Sequence, residues 1–180
     1  MKVVVVYESM FGNTAAIARS IADGLVEISE VQVICVAEKD TRLPDDIDLL
    51  VVGGPTHAWS MSRSNTRRSA PGYAKKPNSG LVLEPGADAA IGVREWLASQ
   101  GRLPLSAVAF DTRVKGPRFL TGRASRPIAK TLAGHGARLV APAETLLVDR
   151  RSHLLPGENA RAEAWGRRLA SLVAPKAGAS

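Results

Sequence analysis

Val3-Val4-Val5-Val6-Tyr7-Glu8-Ser9-Met10-Phe11-Gly12-Asn13-Thr14 starts as a β-branched run and breaks into a short loop of Ser, Gly, Asn and Thr. From Ala15 to Leu25, Ile17, Ala18, Ile21 and Leu25 return at helical spacing, and Arg19 and Asp23 fall on the other side. A continuously apolar strand predicts burial on both faces, as in a parallel sheet. A polar, glycine-containing loop between such a strand and a helix predicts a phosphate cradle. The first helical turn has N–H groups without intrahelical partners and the positive end of the helix dipole, and both favour an anion. The plainer alternative is that Ser9 and Thr14 only cap the helix.

Outward from this stretch, strands and helices alternate. Val31–Val36 predicts a second strand and Leu49–Gly54 a third that ends in a glycine turn. Val93, Trp96 and Leu97 mark a helix ended by Gly101, and Leu105–Phe110 predicts a fourth strand running into Asp111-Thr112-Arg113. A helix follows from about Ala124 to Ala133, closed by Gly134, with His135 beyond it as a cap or surface residue. Ala137–Ala141 and Glu144–Asp149 predict a broken fifth strand, and Glu158–Val173 an amphipathic last helix. Alternation of this kind argues for right-handed βαβ units and a doubly wound, five-stranded parallel α/β sheet with helices on both faces. The expected domain spans 1–174, leaving a disordered tail at 175–180. Met61–Gly86, rich in Ser, Arg, Pro, Gly and Asn, predicts a long, mobile, basic loop.

The 180 residues suffice for one domain with its own core. One cysteine, Cys35, excludes an internal disulfide and sits in an apolar strand pattern. No apolar run approaches the roughly 20 residues of a membrane span, so membrane insertion is not expected. The N-terminus lacks a signal-peptide pattern, which makes the cytoplasm the expected location. His57, His135 and His153 are too scattered for a metal-ligand set. The net charge of +7 is local: no Asp or Glu occurs from Leu49 to Leu83, where Arg63, Arg67, Arg68, Lys75 and Lys76 fall. A second basic run holds Arg113, Lys115, Arg118, Arg123, Arg126 and Lys130. Solvated surface charge is the simplest reading of both. Nucleic-acid binding is not expected, because only Tyr73 interleaves the basic residues of the long loop.

In an open parallel sheet, ligands bind beyond the carboxyl ends of the strands. Three loops therefore belong together: Glu8–Thr14, Gly54-Pro55-Thr56-His57-Ala58-Trp59-Ser60, and Asp111-Thr112-Arg113-Val114-Lys115-Gly116. These residues resemble the flavodoxin-type FMN proteins. That family's phosphate loop, Ser/Thr-x-Thr-Gly-Asn-Thr, stands here as Ser9-Met10-Phe11-Gly12-Asn13-Thr14. Its Gly-x-Pro-Thr turn with an aromatic stands as Gly53-Gly54-Pro55-Thr56-His57-Ala58-Trp59. Near the end, Leu155-Pro156-Gly157-Glu158 and Ala164-Trp165-Gly166 are also similar to relatives. Met61–Gly86 matches no part of the family pattern.

The resemblance implies FMN as cofactor. Ser9, Met10, Phe11, Gly12, Asn13 and Thr14 would cradle its phosphate, with Gly12 allowing close backbone approach. Pro55, Thr56, His57, Ala58 and Trp59 would flank the ring, with Trp59 or His57 on one face. Asp111 would accept from the flavin N3–H, and the Thr112 and Arg113 amides would face the pyrimidine carbonyls. Two departures stand out. Phe11 replaces a phosphate-binding Thr, and Val114 and Lys115 stand where many flavodoxins place a ring-stacking Tyr. Arg113 and Lys115 would stabilise an anionic reduced flavin and raise its potential. The implied function is electron transfer through bound flavin, to a redox partner protein or a small-molecule donor or acceptor. Alternatives are an FMN-dependent NAD(P)H or quinone reductase, and a flavin-free interaction module of the same fold.

Overall fold

The computed structural model describes residues 1–27, 29–38, 41–57, 59–77, 79–88 and 91–173. The β-branched opening forms β1 (Lys2–Tyr7), followed by α1 (Asn13–Leu25), β2 (Glu30–Cys35), β3 (Leu49–His57) and the short β4 (Ser60–Met61). Helices α2 (Ser64–Arg68), α3 (Ala70–Ala74) and α4 (Val93–Ser99) lead to β5 (Ser106–Val114). Then come α5 (Arg118–Thr121), α6 (Ser125–Gly134), β6 (Arg138–Leu139), β7 (Glu144–Val148) and α7 (Glu158–Val173).

The sheet runs β2-β1-β3-β5, all parallel, and β6 and β7 share the fifth place beside β5. The break between those two short strands is the one the sequence pattern anticipates. β4 adds only a two-residue antiparallel pairing to the end of β3. Alternate residues of β1 feed two cores. Val3 and Val5 pack with α1 and α7, whereas Val4 and Val6 pack with α4 and α6. Helices thus cover both faces, and Leu49–Val52 on the central β3 are fully buried. Each such aliphatic side chain is worth roughly 1.5–3 kcal/mol in burial. On the α1/α7 face, Phe110 meets Trp165 edge-on at 6.5 Å between ring centroids. The two helices cross at a pair of glycines. A Cβ on Gly24 would collide with the Glu163 carbonyl, and one on Gly166 with the Ile21 carbonyl.

Three departures from the sequence reading position the site. β3 runs through Gly53-Gly54 to His57, so Pro55-Thr56-His57 is strand and not a loop after a glycine turn. β5 continues to Val114, because Asp111 pairs with Thr145 and Arg113 with Leu147 of β7. Asp111-Thr112-Arg113 is therefore strand, not loop. The stretch 61–86, expected as a long loop, carries α2 and α3 and closes a small core of Met10, Ala70 and Ala87. Its anchor is polar: Arg67 is 1% exposed, donates to Ser62 Oγ at 2.8 Å and pairs with Glu95 at 3.0 Å. Apolar periodicity cannot reveal such an anchor. The tail at 175–180 lies outside the described residues. Among the described residues, no helix is long and apolar enough to cross a membrane.

Candidate functional site

The β1–α1 loop and the carboxyl ends of β3, β5 and β7 enclose a cleft, to which α3, Leu81 and Ser152 also contribute. It is lined by Ser9, Met10, Phe11, Asn13, Thr14, Pro55, Thr56, His57, Thr112 and Arg113 from the anticipated loops. Tyr73, Leu81, Val114, Val148 and Ser152 complete it.

The end formed by the β1–α1 loop is built for an anion. Gly12 is the N-cap of α1 at φ +82°, a conformation that L side chains rarely adopt. No side chain caps α1 and no acid occupies its first turn, so the helix terminus keeps its donors and positive field for a ligand. Ser9 is buried and its hydroxyl has no hydrogen-bond partner, which is unusual for a buried polar atom. The capping alternative therefore loses its main support. The other two donors are set by distant partners. Thr14 Oγ1 and Thr112 Oγ1 share a hydrogen bond at 2.8 Å, and Asn13 Nδ2 donates to the Ser152 carbonyl at 2.6 Å. One opposing charge stands close: a Cβ at Gly12 would lie 3.2 Å from Glu84 Oε1.

The other end is mainly apolar, with Pro55, Tyr73, Leu81, Val114 and Val148 as walls. His57 also lines it, and burial, reinforced by the Arg67 charge, pushes the imidazole below its ordinary 6.5 and favours the neutral ring. Beneath the site, Glu8 Oε2 accepts from Val93 N at 2.9 Å, and burial pushes its carboxyl upward.

Two anticipated residues stand elsewhere. Trp59 adopts φ +70° and is 64% exposed, on a separate groove with Phe119 and Arg126. Its carbonyl accepts from Arg123 N at 3.2 Å, and the close approach of Gly122 holds the turn in place. Asp111 is fully buried and does not line the cleft. Its Oδ2 accepts from Thr56 Oγ1 at 3.1 Å and from Ser125 N at 3.0 Å, at the start of α6, while Oδ1 has no partner. Ala58 lies outside the described residues. Arg113 reaches the rim, but its guanidinium is tied to the carbonyls of Val114 and Gly116 and to Thr121 Oγ1 at 3.2, 3.0 and 2.6 Å.

Tyr73, Leu81, Val148 and Ser152 were not anticipated at the site. Tyr73 and Leu81 belong to the stretch without readable periodicity, and Ser152 follows a strand whose far end gives no motif. Tyr73 is half-exposed, with Lys76 Nζ 4.6 Å from its ring centroid. Cys35 is partly buried and its thiol is pushed up by that burial. Among the described residues, no group of three His, Cys, Asp or Glu side chains is placed to hold a metal ion.

No protein-family model and no curated protein matches the sequence. Solved structures do match in shape. A flavodoxin from the domain Archaea superposes with a TM-score of 0.63 at 20% identity, covering 96% of this chain and 99% of that one. Oxidised flavodoxin 1 from Bacillus cereus gives 0.63 at 17% identity, covering 95% and 98%. Rubredoxin oxygen:oxidoreductase from Desulfovibrio gigas gives 0.57 at 18% identity, covering 97% of this chain but 37% of that one. The sheet order, the two helical layers and these superpositions agree that this chain has a flavodoxin-like fold.

Proposed function

We propose that this chain binds FMN in the cleft and serves as a redox protein that passes electrons through the bound flavin. The observation that carries the reading is the unpartnered, buried Ser9 hydroxyl beside an uncapped helix N-terminus at Gly12. Together they offer unused donors where a phosphate monoester needs them. The likeness to flavodoxin structures supports the reading at the level of the fold.

In this reading Ser9, Asn13 and Thr14, with the first-turn amides of α1, hold the phosphate. The pair Thr14–Thr112 fixes one hydroxyl against β5, so the donor is in place before the ligand arrives. Pro55, Tyr73, Leu81, Val114 and Val148 keep water from the ring's faces, and His57 adds an uncharged polar edge. Arg113, fixed by three acceptors, adds positive field at the rim. Flavin, when bound, supplies one- and two-electron chemistry.

The test is a titration of stripped protein with FMN and with riboflavin, followed by flavin fluorescence and visible absorption. Saturable FMN binding, tighter than riboflavin binding, supports the reading. Equal affinity for the two would remove the phosphate from the β1–α1 loop. Absence of binding would leave a flavodoxin-like fold without flavin. If the loaded protein rapidly oxidises NAD(P)H with a quinone present, the reductase alternative replaces the electron carrier.

A further inference from the structure

A second cavity lies along the edge where β5, α5 and β7 meet. At about 320 Å³ it falls at the lower end of small-ligand pockets. Arg113, Arg118, Arg123 and Thr145 line it. Three of these bring buried polar atoms that have no hydrogen-bond partner: Arg113 Nε, Arg123 Nε and Thr145 Oγ1. Arg113 is 8% exposed, so its unmade bond is not met by bulk solvent. Single orphans of this sort are uncommon in folded proteins. Here three belong to residues that line one cavity.

The charge pattern points the same way. Among the described residues, none of Arg113, Arg118 and Arg123 forms a carboxylate ion pair, and no hydrogen bond engages the Arg118 side chain. Arg113 and Arg123 are held in place through other nitrogens, Arg123 by donating to the Ala143 carbonyl at 3.2 Å. Burial pushes the Arg113 guanidinium down; Asp111 opposes this, while Arg118 and Arg123 add to it. The cavity also contains two carboxylates, Glu144 and Glu158, and both are taken by Arg161. Glu158 Oε2 accepts from Arg161 at 2.6 Å and from Leu147 N at 2.8 Å. Four arginines against two glutamates leave the lining with a net charge of +2.

We propose that this cavity binds a phosphate group, either inorganic phosphate or a phosphate monoester, at a site separate from the β1–α1 loop. A tetrahedral dianion offers enough acceptor oxygens to take several guanidinium N–H groups and a hydroxyl together. A carboxylate, with one charge and two oxygens, meets fewer of them. The inference does not rest on FMN binding in the cleft.

The test is calorimetric titration of the full chain with inorganic phosphate, with phenyl phosphate and with acetate, and amide NMR shifts to locate the sites. The expected result is saturable phosphate binding that shifts amides in 113–123 and 144–147 and that acetate does not reproduce. The tighter of the two phosphate probes identifies the source. Arg118→Gln, at an exposed position that leaves the fold alone, and the near-isosteric Thr145→Val should each weaken that binding about fivefold or more. Ser9→Ala should leave the amide shifts in 113–123 and 144–147 unchanged, whatever it does to phosphate at the β1–α1 loop. Binding lost on Ser9→Ala but kept in Arg118→Gln and Thr145→Val would place the anion at the β1–α1 loop and overturn the proposal. Absence of binding, or equal binding of acetate, would also overturn it.

Discussion

The two ends of the cleft were assembled in different ways. The anion end is a contiguous hexad, Ser9–Thr14, whose backbone path follows from a strand, a glycine at φ +82° and a helix. The apolar end is gathered from β3, the 61–86 stretch, β5 and β7, which lie far apart in the sequence. A local motif can be read from residue order. A wall made by a folded-back segment depends on what holds that segment, here the buried Arg67 with its bonds to Ser62 and Glu95. The difference separates what the chain specifies locally from what it specifies only when complete.

The largest expected effect tests that anchor. Arg67→Met removes one partner of a buried charge cluster and should cost about 3–5 kcal/mol in stability, measured by chemical denaturation. If 61–86 were an independent surface loop, the loss would be near zero, and the contrast between the two ends would disappear. Ser9→Ala addresses the opposite end. It deletes an unpartnered hydroxyl, so stability should hold while FMN binding weakens by about 1–3 kcal/mol, read by fluorescence titration. A fall in stability of that size without a change in affinity would make Ser9 structural.

A smaller effect separates two of the exposed aromatics, Tyr73 and Trp59. Tyr73→Ala should weaken flavin binding by about 0.5–1.5 kcal/mol, whereas Trp59→Ala should leave it unchanged. The reverse order would put Trp59 back over the ring. The smallest concerns His57. Because its folded pKa is lowered from 6.5, the unfolded chain takes up the proton first as pH falls. The His57 contribution to stability is thus complete above about pH 6.5 and declines on acidification through 6.5 toward the folded value. Glu8 has the opposite sign, since its pKa is raised from 4.5 and its contribution is lost as pH rises from there. Comparing His57→Gln with the parent at each pH isolates the first term. The variant should show a flatter stability profile just below pH 6.5.

These contrasts also mark how far the sequence could be read. The βαβ alternation, the broken fifth strand and the span of α7 are all legible, because apolar periodicity is imposed by burial on two faces of a sheet. So is the Ser9–Thr14 loop, since composition and position together fix its chemistry. Trp59 was legible as an aromatic in the right loop but not as an outward one. Its direction depends on a positive φ at a turn that packs against Gly122 and accepts from Arg123 N. Asp111 misled for a related reason. Strand β5 outlasts its apolar run, because β7 continues to pair with it, and the carboxylate ends under α6 instead of in the cleft. Arg67 was read as solvated charge, and only its burial and its partners Ser62 and Glu95 reveal otherwise.

The glycine crossing of α1 and α7 has a consequence in time. The helix that starts the anion end is clamped by the last helix of the domain at Gly24 and Gly166. Asn13 donates a hydrogen bond to the Ser152 carbonyl, 139 residues downstream. During synthesis the first loop therefore emerges long before the elements that hold it. Contacts so distant in sequence form late, and domains complete as units. A nascent chain therefore presents an unfinished cradle until α7 has left the ribosome and closed on α1.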